Sequence, residues 1–242
     1  MKDLALVVDT TLKYSDIWDI YFDQLNKFFP SEIKRYIFTD VYDRTYNQDI
    51  VPIYYNNDDS YRNQFLSCLK NVKEKYILYN SEDYVLYDNV DMDEVYRVID
   101  ILDNDENYDF VKFLKGPEIT YPYSKDHKFI NIIDPSYNLF AQQASVWKKD
   151  ALISIFENSP SENGRMQQEP GGTEVCRKLN IGGLQYFRGE EKKRGYHHWD
   201  SHIFPYIATA IVKGKWNFSE YFNELEPLIK KYQIDPIKRG IL

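Results

Sequence analysis

"YILYNSEDYVLYDNVD", residues 76–91, is the stretch on which the reading of the fold turns. A short apolar run, Tyr76-Ile77-Leu78-Tyr79, ends at Asn80 and Ser81, and two acids follow at Glu82 and Asp83. A second apolar run, Tyr84-Val85-Leu86-Tyr87, then turns straight back toward the core. A brief apolar run bounded by polar turn residues reads as a strand buried on both faces. Such a strand, ending in two adjacent carboxylates, delivers them to the edge of an open α/β sheet where ligands bind. A solvated turn between two strands is the alternative reading. Tyr61-Arg62-Asn63, at the start of the preceding helix, would bring a cation toward the same edge.

The flanking sequence supports a sheet of that kind. Leu4-Ala5-Leu6-Val7-Val8 is a continuous apolar run followed by Asp9-Thr10-Thr11, a buried strand with a polar loop at its end. Residues 15–29 carry Ile17, Trp18, Tyr21, Phe22, Leu25, Phe28 and Phe29 at helical spacing, closed by Pro30. Strands follow at 36–39, ending in Asp40, and at 50–54. Ser60 is an expected N-cap for a helix over 61–73, and Asp91 to Glu94 fits a capping box opening a helix to Leu102. A strand over 109–114 completes an order that predicts an α/β fold with parallel members. In the second half the patterns predict strands near 129–133, 137–141 and 184–187. Helices are expected near 146–157, 173–180, 202–212 and 219–232, with 158–172 as the longest loop. With no repeat and no Gly/Ser-rich linker, the expectation is a single domain over 1–242.

Composition narrows the function. Of 242 residues, 43% are hydrophobic and 17% aromatic, enough for a substantial core. A net charge of −8 disfavours a protein that tracks nucleic acid, because phosphate contacts need a basic surface. No run approaches the roughly 18 apolar residues of a membrane span. The N-terminus lacks the apolar stretch of a signal peptide. Cys68 and Cys176 fall in different expected helices and make no disulfide framework, so a cytoplasmic setting is expected.

The arrangement around Glu82-Asp83 resembles the GT-A nucleotide-sugar glycosyltransferases, and family 2 among them. "SYRNQFLSCLKNVKEKYILYNSEDY", residues 60–84, is similar to their helix-into-motif unit, and "NLFAQQASVWKKD", residues 138–150, to their acceptor-side strand and helix. Ser81-Glu82-Asp83-Tyr84 stands where such enzymes carry Asp-x-Asp, so the motif is degenerate. The resemblance implies a GT-A-like domain with a mostly parallel central sheet flanked by helices. Residues 1–115 would form the nucleotide-sugar half, and 116–242 the acceptor half with the C-terminal helices. It also implies a nucleotide-sugar donor, a glycan or lipid-linked saccharide acceptor, and Mn²⁺ or Mg²⁺ at the diphosphate. A departing nucleoside diphosphate gathers negative charge, which a carboxylate-held divalent ion or cationic side chains must stabilise. Asp83 is the expected metal ligand, with Glu82 in reserve.

"GEEKKRGYHHWDSHIFPY", residues 189–206, holds three of the four histidines and the basic run Lys192-Lys193-Arg194. A charged loop leading into a helix, capped by Asp200 or Ser201, accounts for it without function. Its spacing matches no zinc motif. The resemblance implies that His198, or failing it His197, returns to the diphosphate, with His198 as the second expected metal ligand beside Asp83, and that Lys192, Lys193 and Arg194 neutralise phosphate. An inverting transfer also needs a carboxylate base for the acceptor hydroxyl. Glu169 and Glu174, in "QQEPGGTEVCRKL" at residues 167–179, are equal candidates, although Thr173 could simply cap a helix that Glu174 opens. Thr10, Thr11, Asp40 and Arg62 lie where base, ribose or phosphate should sit. The expected function is a glycosyltransferase. A non-catalytic carbohydrate-binding protein, suggested by 22 tyrosines, and a nucleotidyltransferase are the alternatives.

Overall fold

Leu4–Asp9 forms β1, buried along its whole length as its unbroken apolar run requires. In the computed structural model the described residues are 2–42, 49–116, 121–132, 138–160, 165–194 and 198–242, with backbone alone for 165–168 and 198. Beside β1 run β2 (Lys34–Thr39), β3 (Ile50–Tyr54) and β4 (Tyr76–Ser81), all parallel, in the order β3-β2-β1-β4. Asp9 is in register with Ser81, so the loops after β1 and β4 leave the sheet side by side. The chain builds outward from β1 to β3 and returns to place β4 on the other side. Neighbouring connections therefore diverge and open a crevice beyond the strand ends.

Val85–Leu86 is β5, a two-residue strand outside this sheet, and Phe110–Lys112 is β6. Tyr121–Pro122 is β7, Phe129–Asn131 β8, Ser145–Lys148 β9 and Gly183–Tyr186 β10. They extend the sheet to nine strands, continuing from β4 as β9-β6-β10-β8-β7. β9 is antiparallel to both β4 and β6, whereas β6 and β10 are parallel. Lys193–Arg194 (β11) pairs with His198–Trp199 (β12), Tyr206–Ile207 (β13) pairs with β5, and Ile211–Val212 (β14) with Lys215–Trp216 (β15).

The helices are α1 (Trp18–Phe28), α2 (Tyr61–Leu69), α3 (Met92–Asn104), α4 (Lys149–Asn158), α5 (Arg165–Leu179), α6 (Phe218–Lys231) and α7 (Pro236–Arg239). Both expected N-caps form: Ser60 accepts from the Asn63 amide and Asp91 from the Glu94 amide. The main core runs from Leu4 to Ala208 and is tightened by the stacked pairs Phe65–Phe156 and Phe110–Trp147, 4.4 and 4.0 Å between ring centroids. A second apolar cluster, with Ile17, Val85, Ile207 and Leu225, seats α6. The result is an α/β fold whose mixed sheet has a mostly parallel core, flanked by helices.

Four expectations about elements are corrected. Residues 202–212 are not helical. Ser201 Oγ accepts from the Phe204 amide as expected of a cap, but Pro205 and the β-branched run draw the chain into β13 and β14. Residues 138–141 form no strand; Phe140 bonds Thr173 of α5, and the Asn138 carbonyl accepts from Lys112 of β6. Trp147 belongs to β9 rather than to a helix starting at 146. Residues 165–172 extend α5 despite Pro170, Gly171 and Gly172. The glycine at 172 serves packing here: a Cβ would lie 2.5 Å from Phe140 Cδ1, so only glycine lets the helix approach that ring.

Candidate active site

Beyond the ends of β1 and β2 opens a cleft of about 470 Å³, walled by Asp9, Thr10, Thr11, Lys13, Tyr14, Asp40, Tyr55, Asn57, Tyr61 and Gln64. Three of the four expected nucleotide contacts, Thr10, Thr11 and Asp40, share this wall. Thr10 is fixed from both sides: Trp18 Nε1 donates to its hydroxyl and the Tyr55 hydroxyl to its carbonyl, each at 2.9 Å. Asp40 accepts from the Leu12 amide at 2.8 Å and from Thr11 Oγ1 and Asn57 Nδ2 at 3.4 Å. Partial burial raises its carboxyl, but those donors outweigh it and hold Asp40 below the ordinary carboxylate value. Arg62 is not part of the wall; its guanidinium donates to the Ser159 carbonyl beyond α4, at 2.8 Å.

The acids follow the end of β4, where the Ser81 hydroxyl reaches the Asp9 carbonyl at 3.3 Å; the residues walling the cleft include Asp9 but neither acid. They differ in what they can do. Glu82 is buried, and its carboxylate accepts from Ser81 Oγ at 3.0 Å. Asp83 is half-buried, with its Oδ1 enclosed. Among the described residues, no group of three or more His, Cys, Asp or Glu side chains is placed to hold a metal.

The two expected bases part company. Glu174 points from α5 into solvent, whereas Glu169 Oε1 accepts from the Gln142 amide at 2.8 Å. Gln142, which the sequence reading did not single out, is the junction of this edge. Its Nε2 donates to the Tyr61 hydroxyl at 2.9 Å, and that hydroxyl donates to Asp9 Oδ2 at 2.9 Å. Its carbonyl accepts from the hydroxyl of Tyr84, the residue after the acids. Lys112, at the end of β6, was also missed. It is fully buried, donates to the Asn138 carbonyl at 2.7 Å, and anchors the segment leading to Gln142. Burial, opposed in part by the Glu169 carboxylate, pushes its ammonium down to about 7. A lone lysine inside the apolar run "FVKFL" was the available signal.

The basic run divides as well. Arg194 is buried, with Nε bonded to Asp200 Oδ1 at 2.9 Å, Nη1 to the Glu220 carbonyl at 3.1 Å, and Nη2 to Glu224. Burial alone would lower its pKa, but the two carboxylates raise it above the ordinary value. It therefore joins the β11–β12 hairpin to α6. Lys192 and Lys193 are exposed, and Lys193 Nζ lies 5.1 Å from the centre of the Trp199 ring. The loop before them is pinned by Glu191, whose carboxylate accepts the successive amides of Arg188, Gly189 and Glu190; Gly189 there adopts φ +97°. His197 and the side chain of His198 lie outside the described residues.

No protein-family model matches the sequence, and no curated protein does. Solved structures match by shape. One is S. aureus TarS 1-349 in complex with UDP: 13% identity, TM-score 0.51, 82% of this chain and 60% of that one. A second TarS 1-349 structure gives 14% identity and TM-score 0.50, over 77% and 60%. Mannosyltransferase PcManGT from Pyrobaculum calidifontis, in complex with GDP-Man and Mn²⁺, gives 10% identity and TM-score 0.51, over 80% and 58%. The chain thus spans about three-fifths of the length of these structures. Strand order, crevice and shape together show that this chain has the fold of the GT-A nucleotide-sugar transferases.

Proposed function

We propose that the protein is a glycosyltransferase that moves a sugar from a nucleotide-diphosphate donor to a glycan or lipid-linked acceptor, with inversion. One observation carries this reading: a nucleotide-sized polar cleft, the Glu82-Asp83 loop and a separate acceptor-side carboxylate, Glu169, are gathered on one sheet edge. Residues 1–115 supply the donor half of a single domain and 116–242 the acceptor half. Thr10, Thr11 and Asp40 bind the nucleoside, with Arg62 nearby on α2. Glu169 takes the proton of the acceptor hydroxyl as its oxygen attacks the anomeric carbon and the diphosphate departs. Glu174, exposed on the same helix, is the weaker candidate for that role.

The solved relatives include one with UDP and one with GDP-Man and Mn²⁺. Asp83, backed by Glu82, would hold a divalent ion at the donor's diphosphate. When bound, such an ion stabilises charge on the leaving diphosphate. His198, or His197 in its place, and the exposed Lys192 and Lys193 are the further groups we assign to the diphosphate. Arg194 serves them by fixing their hairpin. Two free, buried cysteines fit a reducing, cytoplasmic setting.

Thermal unfolding against UDP, GDP, dTDP, ADP and CMP, each with Mn²⁺, Mg²⁺ or EDTA, tests the reading. Binding to the folded state raises the midpoint by mass action. One nucleoside diphosphate should stand out, with its shift reduced by EDTA and by Asp83→Ala. Asp83→Ala should also lower transfer at least about 100-fold without unfolding the protein. A fully active Asp83→Ala enzyme, or release of pyrophosphate instead of nucleoside diphosphate, would sink the proposal.

A further inference from the structure

Gln142 occupies a position that the chemistry of transfer does not by itself require. Three of its polar groups each bond a different element of the sheet edge. The side-chain amide bonds Tyr61 on α2, the backbone amide bonds Glu169 on α5, and the carbonyl accepts from Tyr84 behind the acids. Only 8% of its surface is exposed, so water does not readily substitute for these partners.

The direction of the bonds is determined. A carboxylate only accepts, so the Tyr61 hydroxyl spends its proton on Asp9 and must accept from Gln142. The Gln142 amide nitrogen is thereby held toward α2, and the backbone of 142 is presented to Glu169. Asp9 and Tyr61 also line the nucleotide cleft. Gln142 therefore links the wall of the cleft to the acceptor-side carboxylate through two separate donors, its side-chain amide toward Tyr61 and its backbone amide toward Glu169. The segment leading to Gln142 is fixed independently at two points. Lys112 holds Asn138, and the Thr173 hydroxyl both accepts from the Phe140 amide and donates to its carbonyl, at 3.2 and 3.3 Å.

We propose that Gln142 is a positioning residue: through Tyr61 it couples occupancy of the nucleotide cleft to the placement of Glu169. The inference rests on the transferase reading for its catalytic consequence, but not for its structural one. A donor against Asp9 and Tyr61 tightens this link, and the Gln142 amide then holds the Glu169 carboxylate in its working position.

The test compares wild type, Gln142→Met, Tyr61→Phe and the double variant. Methionine keeps the unbranched length and lacks the donor; phenylalanine keeps the ring and lacks the hydroxyl. Transfer is followed with UDP-glucose, GDP-mannose and dTDP-glucose, using whichever the wild type turns over. Hydrogen exchange at the Gln142 amide is measured on the same proteins. Each single change should lower kcat at least about tenfold, and Gln142→Met, which leaves the cleft wall intact, should keep the donor KM within about threefold. The double variant should be about as slow as either single one, because both remove the same link. Exchange at the Gln142 amide should quicken at least about tenfold in both singles. Purely structural loosening would lower the unfolding midpoint without that kinetic split or non-additivity. Single variants within twofold of wild-type kcat, multiplicative losses in the double variant, or unchanged amide exchange would each overturn the proposal. If the wild type turns over no nucleotide sugar, the transferase reading fails, and the exchange measurement alone still decides whether Gln142 and Tyr61 hold Glu169.

Discussion

Lys112 shows how one side chain ties the site to stability. Its ammonium is fully buried and titrates near 7 in the folded protein, against an ordinary value of 10.5. Below pH 7 folded and unfolded chains both hold the proton, and the cost of burying the charge is fully present. Between 7 and 10.5 the unfolded chain binds more protons, so this cost fades as pH rises. Lys112→Met should therefore be more stable relative to wild type at pH 6 than at pH 9. The difference should shrink by roughly 1 kcal/mol per pH unit above 7, as read from urea midpoints. A difference independent of pH would mean that Lys112 keeps its proton in the folded chain across the whole range. Residues at the ends of strands were legible in the sequence, because burial ends there and polarity begins: Thr10, Thr11, Asp40 and Glu82-Asp83 all lie at the edge they were expected to reach. Gln142 and Lys112 were not. Their roles come from partners such as Tyr61 and Asn138, 81 and 26 positions away, which no local pattern reveals.

At the scale of elements, α5 is the instructive case. Proline and paired glycines read as a loop, because each disfavours helix by itself. The segment is helical because Gly172 meets the Phe140 ring, the Thr173 hydroxyl satisfies the backbone of residue 140, and the helix carries Glu169 to Gln142. Tertiary contact overrides propensity there. Gly172→Ala should improve local helix propensity and still destabilise the protein, by about 1–3 kcal/mol, since Phe140 is buried and has little room to yield. Chemical denaturation checks the sign; a stabilised variant would show that the ring moves aside. The strands and helices of the first half were legible because they alternate with clear caps and continuous apolar runs. The second half was less so, since two- to four-residue strands give too few positions for a period to show.

Across the whole molecule, β4 and β6 never pair with each other; both pair with β9. Removing that one strand would leave two separate sheets, β3-β2-β1-β4 and β6-β10-β8-β7. Val146, fully buried, stands opposite Leu78 on one side and Val111 on the other, contacts distant along the chain. Closing such distant pairs costs loop entropy before any contact rewards it. Because β9 completes its pairing only when both sheets are present, the expected order is that it docks between them late. Val146→Ala, costing about 1–3 kcal/mol, should then speed unfolding while leaving the refolding rate nearly unchanged. A chevron in which refolding carries the loss would place β9 in the nucleus. Residues 138–144, which lead into β9, would also reach their final places only at that last step, so a chain halted just before it would hold two formed sheets with Gln142 not yet joined to Tyr61 and Glu169.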